Sequence, residues 1–170
     1  MSDSRLLTRQ LLVLALAAAG LHTGPASAAG APPLAWFAGA WQCAGKFEAS
    51  GKPIEAQLRF EWSEGSGALV KHHDDRLPNS YHAIELWGAN GPAGLAATIV
   101  DTFSGTRLFA SPGWANETLA WTRMADGKPV ERFTYAREGQ DRLKVEWATS
   151  KDGSTFKLGD TLFCERLKAE

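Results

Sequence analysis

The densest group of ionisable side chains in the sequence is the run Lys71–Arg76 (KHHDDR). A turn signal at Leu77-Pro78-Asn79 follows this run, and His82 comes soon after it. If the two segments form a hairpin around this turn, His82 lies across from Asp74 and Asp75. A histidine beside a carboxylate can act as a general base, because the acid fixes the tautomer of the ring and raises its basicity. The candidate catalytic residues are His73, His82, Asp74 and Asp75.

The same residues have two other interpretations. Two histidines and a carboxylate are also a ligand set for zinc or iron. Strand geometry argues against both metal binding and catalysis, because neighbours such as His72 and His73 point to opposite faces of a strand. The simplest interpretation is a charged, solvated barrel mouth, and we expect no metal.

A second candidate site combines arginines with aromatic residues in the later part of the chain. Arg123 follows Trp121 at a spacing of two, so the two side chains share one face of a strand. An inward arginine among aromatic rings suits a carboxylate head group on an apolar tail. An outward arginine that covers a tryptophan fits the pattern equally well. The candidate ligand-binding residues are Trp121, Arg123, Phe133, Tyr135 and Phe109.

Charge and motifs argue against several classes of function. The formal net charge is −1, so no basic excess is present to hold nucleic acid or an anionic membrane surface. The sequence contains no Gly-x-Ser-x-Gly, Cys-x-x-Cys or His-Glu-x-x-His motif and no phosphate-binding glycine loop. We therefore expect no nucleic-acid partner and no cofactor.

Residues 1–28 are typical of a cleaved signal peptide. Arg5 and Arg9 form a short positive region, Leu11–Gly20 is an apolar run, and Ala26-Ser27-Ala28 supplies the small-x-small cleavage pattern. The apolar run is shorter than the ~20 residues that a membrane-spanning helix needs. A short membrane anchor or a buried helix is the alternative. We expect a mature chain of residues 29–170 that is periplasmic or secreted and has no membrane span.

From residue 41 onward the dominant hydrophobic period is two. Apolar and polar residues alternate through 54–62 and again through 142–147, and no later segment shows a helical period. Turn signals divide the chain into about ten short strands, which is typical of an up-and-down meander whose closure removes the exposed edges. We therefore predict an all-β domain over residues 39–168, a closed antiparallel barrel of about ten strands. A β-sandwich is the alternative.

The two cysteines test this closure. Two thiols in an exported chain suggest one disulfide, although two buried free thiols are the alternative. If the first and last strands pair antiparallel with Cys43 opposite Cys164, then Trp41 falls opposite Arg166. One register thus provides both a disulfide and a cation–π pair, worth ~0.5–2 kcal/mol.

The two ends of the domain resemble a known signature. The pattern Leu34-x-x-Phe37-x-Gly39-x-Trp41, with an arginine on the closing strand, resembles that of the calycin superfamily, which includes lipocalins and fatty-acid-binding proteins. More narrowly, the chain is similar to uncharacterised exported bacterial lipocalin-like domains. The resemblance implies that Trp41 packs on Arg166 as a structural pair. It also implies that the lead-in 29–38 ends in a short turn, Leu34 to Phe37, which plugs one end of the barrel.

The resemblance also bears on a cofactor. Nitrobindins, ten-stranded relatives in this group, hold haem through a histidine near the chain end. No histidine follows His82 in this sequence, so that ligand is missing.

Three functions fit these observations. The leading hypothesis is an exported barrel that binds an apolar or amphipathic small molecule, since seven Trp, eight Phe and two Tyr need a core or a cavity to hold them. The second is an enzyme in the same barrel that uses the His/Asp pair as acid–base groups. The third is a ligand-free envelope module that acts through protein contacts.

Overall fold

A computed structural model describes residues 34–168, so the predicted signal peptide (1–28) and residues 29–33 of the predicted lead-in lie outside the described residues. Residues 34–168 form two short 3-10 helices and eleven β-strands. The helices are Leu34–Phe37 and Gly91–Ala93. The strands are β1 (Gly39–Phe47), β2 (Pro53–Ser63), β3 (Ala68–Asp75), β4 (His82–Ala89), β5 (Leu95–Asp101), β6 (Gly105–Ser111), β7 (Trp114–Ala115), β8 (Thr118–Ala125), β9 (Lys128–Arg137), β10 (Arg142–Thr149) and β11 (Lys157–Arg166).

The strands form one antiparallel sheet in which most strands pair with their neighbours in sequence. β1 pairs with β11, and β6 pairs with β8 through Ala110 and Thr122, so the sheet closes on itself. The two-residue strand β7 pairs with β8 alone. The other ten strands make a closed up-and-down barrel, which confirms the predicted all-β fold and rules out the β-sandwich.

Strict alternation of side chains explains why these segments are strands. In β2 the apolar residues Ile54, Ala56, Leu58 and Phe60 are buried, and the intervening polar residues are exposed. Burying a side chain the size of leucine or phenylalanine stabilises the fold by roughly 1.5–3 kcal/mol. A slip of one residue would move the whole apolar set to the solvent side, so the period fixes the register of the strand.

The barrel closes in the register that the two cysteines suggested. Cys43 lies opposite Cys164 and forms a disulfide with it, and Trp41 lies opposite Arg166. The Arg166 guanidinium carbon is 4.1 Å from the centroid of the Trp41 ring. Nη2 of Arg166 also donates a hydrogen bond to the carbonyl oxygen of Trp36 at 2.7 Å. The same arginine therefore binds both the first strand and the segment before it.

Gly45 permits the close approach of β1 to β11. A Cβ at this position would overlap the carbonyl group of Thr161 on the neighbouring strand. The backbone packs too tightly here for any side chain, so glycine is required by space.

The helix Leu34–Phe37 packs across one end of the barrel. Phe37 is fully buried and stacks on Phe60 with ring centroids 5.2 Å apart. It also meets Trp87 and Tyr135 edge to face, at 5.3 and 5.7 Å. These aromatic rings fill the helix end, and the free space of the barrel lies at the opposite end.

Candidate functional site

A cavity of about 570 Å³ occupies the barrel end opposite the helix. Its walls combine apolar side chains with ionisable ones, and two turns form its rim. The apolar and aromatic lining residues include Phe47, Ile54, Val130, Phe133, Val145, Trp147 and Leu162. The ionisable lining residues are Lys71, His73, Asp75, Tyr81, Arg107, Arg123, Glu131, Tyr135 and Asp160. The rim contains Pro78, Asn79 and Ser80 from the β3–β4 turn and Phe103 and Ser104 from the β5–β6 turn.

Lys71, on the cavity wall, belongs to a buried ion pair. Nζ of Lys71 donates hydrogen bonds to Oε1 of Glu85 at 2.7 Å and to the hydroxyl oxygen of Tyr135 at 2.8 Å. Nε1 of Trp87 donates to the other carboxylate oxygen of Glu85, at 2.8 Å. The Lys71 and Glu85 side chains are each only 2% exposed. Burial, helped by the Glu85 charge, raises the pKa of Tyr135 well above its usual value, so its hydroxyl stays neutral.

A second charged group lies on the wall formed by β6, β8 and β9. Arg107 contacts both Asp101 and Glu131. Nε of Arg123 donates to Oε2 of Glu131 at 2.8 Å, and Nε1 of Trp147 donates to Oε1 of Glu131 at 2.8 Å. Both arginines are therefore neutralised by carboxylates of the protein itself.

This pairing changes the expected role of Arg123. Burial alone would lower the pKa of Arg107, but Glu131 and Asp101 outweigh it and raise that pKa above the usual value. Glu131 already compensates the charge of Arg123 through Nε, so a carboxylate head group at the remaining N–H donors of Arg123 would lie close to the negative charge of Glu131. The arrangement does not provide the free arginine that a fatty-acid site needs.

The third polar group has carboxylates but no arginine or lysine partner. Nε2 of His73 lies 3.0 Å from Oδ1 of Asp75, and both side chains are largely buried. Burial lowers the pKa of His73 below 6.5, and the hydrogen bond to Asp75 offsets only part of this shift. The ring is therefore neutral at pH 7.

Asp160 extends this third group from the β11 side of the cavity. Burial is the main reason that the pKa of Asp160 is raised to about 7. The negative charge of Asp75 also raises this pKa, and its effect is larger than the opposite effect of the hydrogen bond from the Trp147 backbone. Within residues 34–168, neither Asp75 nor Asp160 forms a salt bridge with a lysine or arginine. When Asp160 ionises, this wall of the cavity carries negative charge that no lysine or arginine salt bridge among the described residues compensates.

The four candidate catalytic residues separate into an inner and an outer pair. His73 and Asp75 line the cavity. His82 and Asp74 lie on the outer surface, where Nδ1 of His82 is 2.9 Å from Oδ1 of Asp74 and both side chains are about half exposed. The reason is the strand period, because Asp74 and Asp75 are neighbours on β3 and must face opposite sides. The expected proximity of His82 to Asp74 is observed, but it lies outside the barrel.

The five candidate ligand-binding residues also separate. Arg123, Phe133 and Tyr135 line the cavity. Trp121 and Phe109 are buried but are not part of its lining, because Trp121 packs on Trp87 and Phe109 packs on Phe133. These two residues belong to the packed core.

Lys71, Glu85 and Asp160 lie in or next to the cavity but were not among the residues predicted from the sequence to be functional. Lys71 and Glu85 are in phase with the buried residues Leu69 and Trp87, but the opposite faces of β3 and β4 also carry apolar residues, so the strand period did not show which face is inward. Asp160 gave a clearer signal, because it is in phase with Leu162 and Cys164 on β11, and the sequence already placed Cys164 opposite Cys43.

The outer surface carries one further feature. Four apolar side chains on β4, β5 and β6 are at least half exposed: Ile84, Leu86, Val100 and Leu108. Cross-strand pairing places Ile84 beside Val100, while Leu86 and Leu108 are each paired with Thr98. An exposed apolar patch is the feature that a protein-contact module would use, so that hypothesis stays a prediction.

Among residues 34–168 no helix is long and apolar enough to cross a membrane. In the same range no three His, Cys, Asp or Glu side chains are grouped so as to hold a metal ion. No protein-family model matches the sequence, and no curated protein is significantly similar to it.

Proposed function

We propose that this protein is an exported, lipocalin-like binding protein that takes an amphipathic small molecule into the cavity opposite the helix. The observation that carries the proposal is the cavity of about 570 Å³ with a mixed apolar and polar lining. Specific small-molecule sites fall in the range of roughly 300–1,000 Å³ and combine apolar walls with a few polar groups.

Several other features support the proposal. A barrel of this strand number has enough room for one small ligand when side chains do not fill it. Here the aromatic side chains fill only the helix end, and the contact of Arg166 with Trp41 supports the relationship to lipocalin-like proteins. The pattern of residues 1–28 and the Cys43–Cys164 disulfide support export to an oxidising compartment.

The proposal is tested first by searching for a retained ligand and then by a substitution that fills the cavity. Native mass spectrometry of the purified protein should find a bound small molecule, and an apolar fluorescent dye should compete with it. Leu162→Trp should weaken dye binding at least tenfold, because the ring enters the cavity. Phe163→Trp is the matched control, since its side chain is on the outer surface. Equal dye binding by the two variants, or no binding by the native protein, would contradict the proposal.

A second candidate function is acid–base chemistry on the bound molecule. The observation that favours it is His73, a neutral imidazole on the cavity wall within hydrogen-bonding distance of Asp75. If this function is correct, a retained molecule is converted to a product by the native protein and persists unchanged in His73→Gln. Identical retained molecules in both proteins would leave binding as the function.

A further inference from the structure

The charges that line the cavity are unevenly matched. Each inward cation has a carboxylate partner in the protein: Lys71 binds Glu85, while Arg107 and Arg123 bind Glu131. Asp101 supplies a further negative charge to Arg107. Among residues 34–168, no cation on the cavity wall is left without a carboxylate partner for a ligand anion.

Two carboxylates on the opposite wall, Asp75 and Asp160, form no salt bridge with a lysine or arginine of the described residues. The Asp75 side chain is only 5% exposed, and its one charged or polar side-chain partner among the described residues is His73. Because burial keeps His73 neutral, it offers a hydrogen bond but no charge. Asp160 lines the same cavity close enough for the two negative charges to interact. A buried carboxylate without a cation is costly, and two that share a site are more so.

Resting on the proposed function, we propose that the cavity selects an organic cation, a protonated amine attached to an apolar body, whose ammonium group lies between Asp75 and Asp160. The ammonium group supplies the missing charge and donates hydrogen bonds to both carboxylates. Ile54 and Leu162 line the cavity beside this group and provide apolar surface for the body of the ligand. The rings of Tyr81 and Phe47 are further lining surfaces that suit a cation.

The same site does not fit a metal ion. Calcium requires six to eight oxygen ligands, and residues 34–168 contain no suitable group of His, Cys, Asp or Glu side chains. An organic cation needs fewer partners because it carries its own donors.

The ionisation of Asp160 makes amine binding dependent on pH. The charged groups that face Asp160 are Asp75 and Lys71 from β3 and Glu48 after β1, and the Trp147 backbone of β10 hydrogen-bonds to it. Asp160 ionises as the pH rises through about 7, whereas an alkylamine stays protonated to ~10. Amine affinity should therefore increase between pH 6 and pH 8, and binding below pH 7 should release protons.

The test compares three probes that share one apolar body: 4-phenylbutylamine, 4-phenylbutanol and 4-phenylbutanoate. Isothermal titration at pH 8 should give the amine an affinity about tenfold higher than the alcohol, and the carboxylate the weakest binding. This ranking uses the native protein and needs no variant. An alcohol or carboxylate that binds as tightly as the amine would overturn the inference and leave the proposed function intact. Failure of all three probes and of the apolar dye would overturn both.

Variants of Asp75 and Asp160 test whether the ammonium group binds between these two carboxylates. Asp75→Asn and Asp160→Asn should each reduce amine affinity about fivefold or more and leave alcohol affinity within a factor of two. Asp74→Asn is the matched control, because Asp74 neighbours Asp75 on β3 but lies on the outer surface. If Asp74→Asn weakens amine binding as much as Asp75→Asn does, the effect is one of surface charge and the inference is wrong.

Discussion

Nζ of Lys71 lies 2.7 Å from Oε1 of Glu85, directly across the β3–β4 pair, and both side chains are almost wholly buried. Two buried charges are tolerated in the fold only as a pair, because either one without the other would be buried with no partner to offset the cost of its desolvation. Their hydrogen bonds to Tyr135 and Trp87 connect them to the aromatic core at the helix end. The ion pair is therefore the boundary between the packed core and the cavity.

The first prediction concerns this pair. Lys71→Met should lower the free energy of unfolding by about 3–5 kcal/mol, because Glu85 is left buried without its cation. The double variant Lys71→Met/Glu85→Leu should recover a large part of the loss. Urea denaturation measures both effects. Arg59→Met, which breaks the half-exposed pair with Glu61 on β2, is the control and should cost less than about 1 kcal/mol. A double variant no more stable than Lys71→Met would contradict the prediction.

The second prediction concerns the disulfide that joins the first and last strands. Cys43 and Cys164 are 121 residues apart, so their cross-link restricts most of the unfolded chain. Replacing both with alanine should lower the free energy of unfolding by about 4–5 kcal/mol. Unfolding curves with and without reductant measure this effect. Reductant should destabilise the native protein and should leave the double variant unchanged; a response of the double variant would show a different cause.

The third prediction concerns Asp160 and pH. Because the folded-state pKa is raised to about 7, the folded protein holds a proton that the unfolded chain has lost at that pH. Asp160 therefore destabilises the fold progressively as the pH rises from 4 to 7. Asp160→Asn removes this effect. The free energy of unfolding of the variant, minus that of the native protein, should therefore increase by about 2–4 kcal/mol between pH 4 and pH 7.

Thermal and urea unfolding at several pH values test this sign. Asp74→Asn is again the control, and its stability difference from the native protein should be nearly flat across the same range. A difference for Asp160→Asn that is flat or falls with pH would contradict the burial of this carboxyl group.

The fourth prediction concerns the space at Gly45. Gly45→Ala places a methyl group against the Thr161 carbonyl and forces β1 away from β11. We expect a loss of more than about 3 kcal/mol in the free energy of unfolding. Gly65→Ala is the control, because nothing lies within 4 Å of a Cβ at that position. Its effect should stay within about 1 kcal/mol. Similar losses for both variants would contradict the close contact.

The barrel could be predicted from the sequence because its signals are local. Alternation in β2 marks the buried face, and the two cysteines fix the register of β1 against β11. The buried side of β2 is entirely apolar, so the inward direction is unambiguous there.

The cavity could be predicted only in part. On β3 both faces carry polar residues, so the period separates Asp74 from Asp75 but does not say which one faces inward. The partners of Arg123 and Arg107 come from other strands, and the sequence does not show which carboxylate reaches which arginine. The inward position of Asp160 could be predicted from its phase with Leu162 and Cys164, whereas the register shift beside it could not.

The link between Cys43 and Cys164 has a consequence for protease resistance. It joins the two end strands of the barrel, so the covalent connectivity of the domain is that of a ring. A single backbone cut in any turn between them, such as the exposed one at Asp152, leaves one covalent molecule with every strand still tethered. A nicked barrel would therefore run as one species without reductant and as two fragments with it.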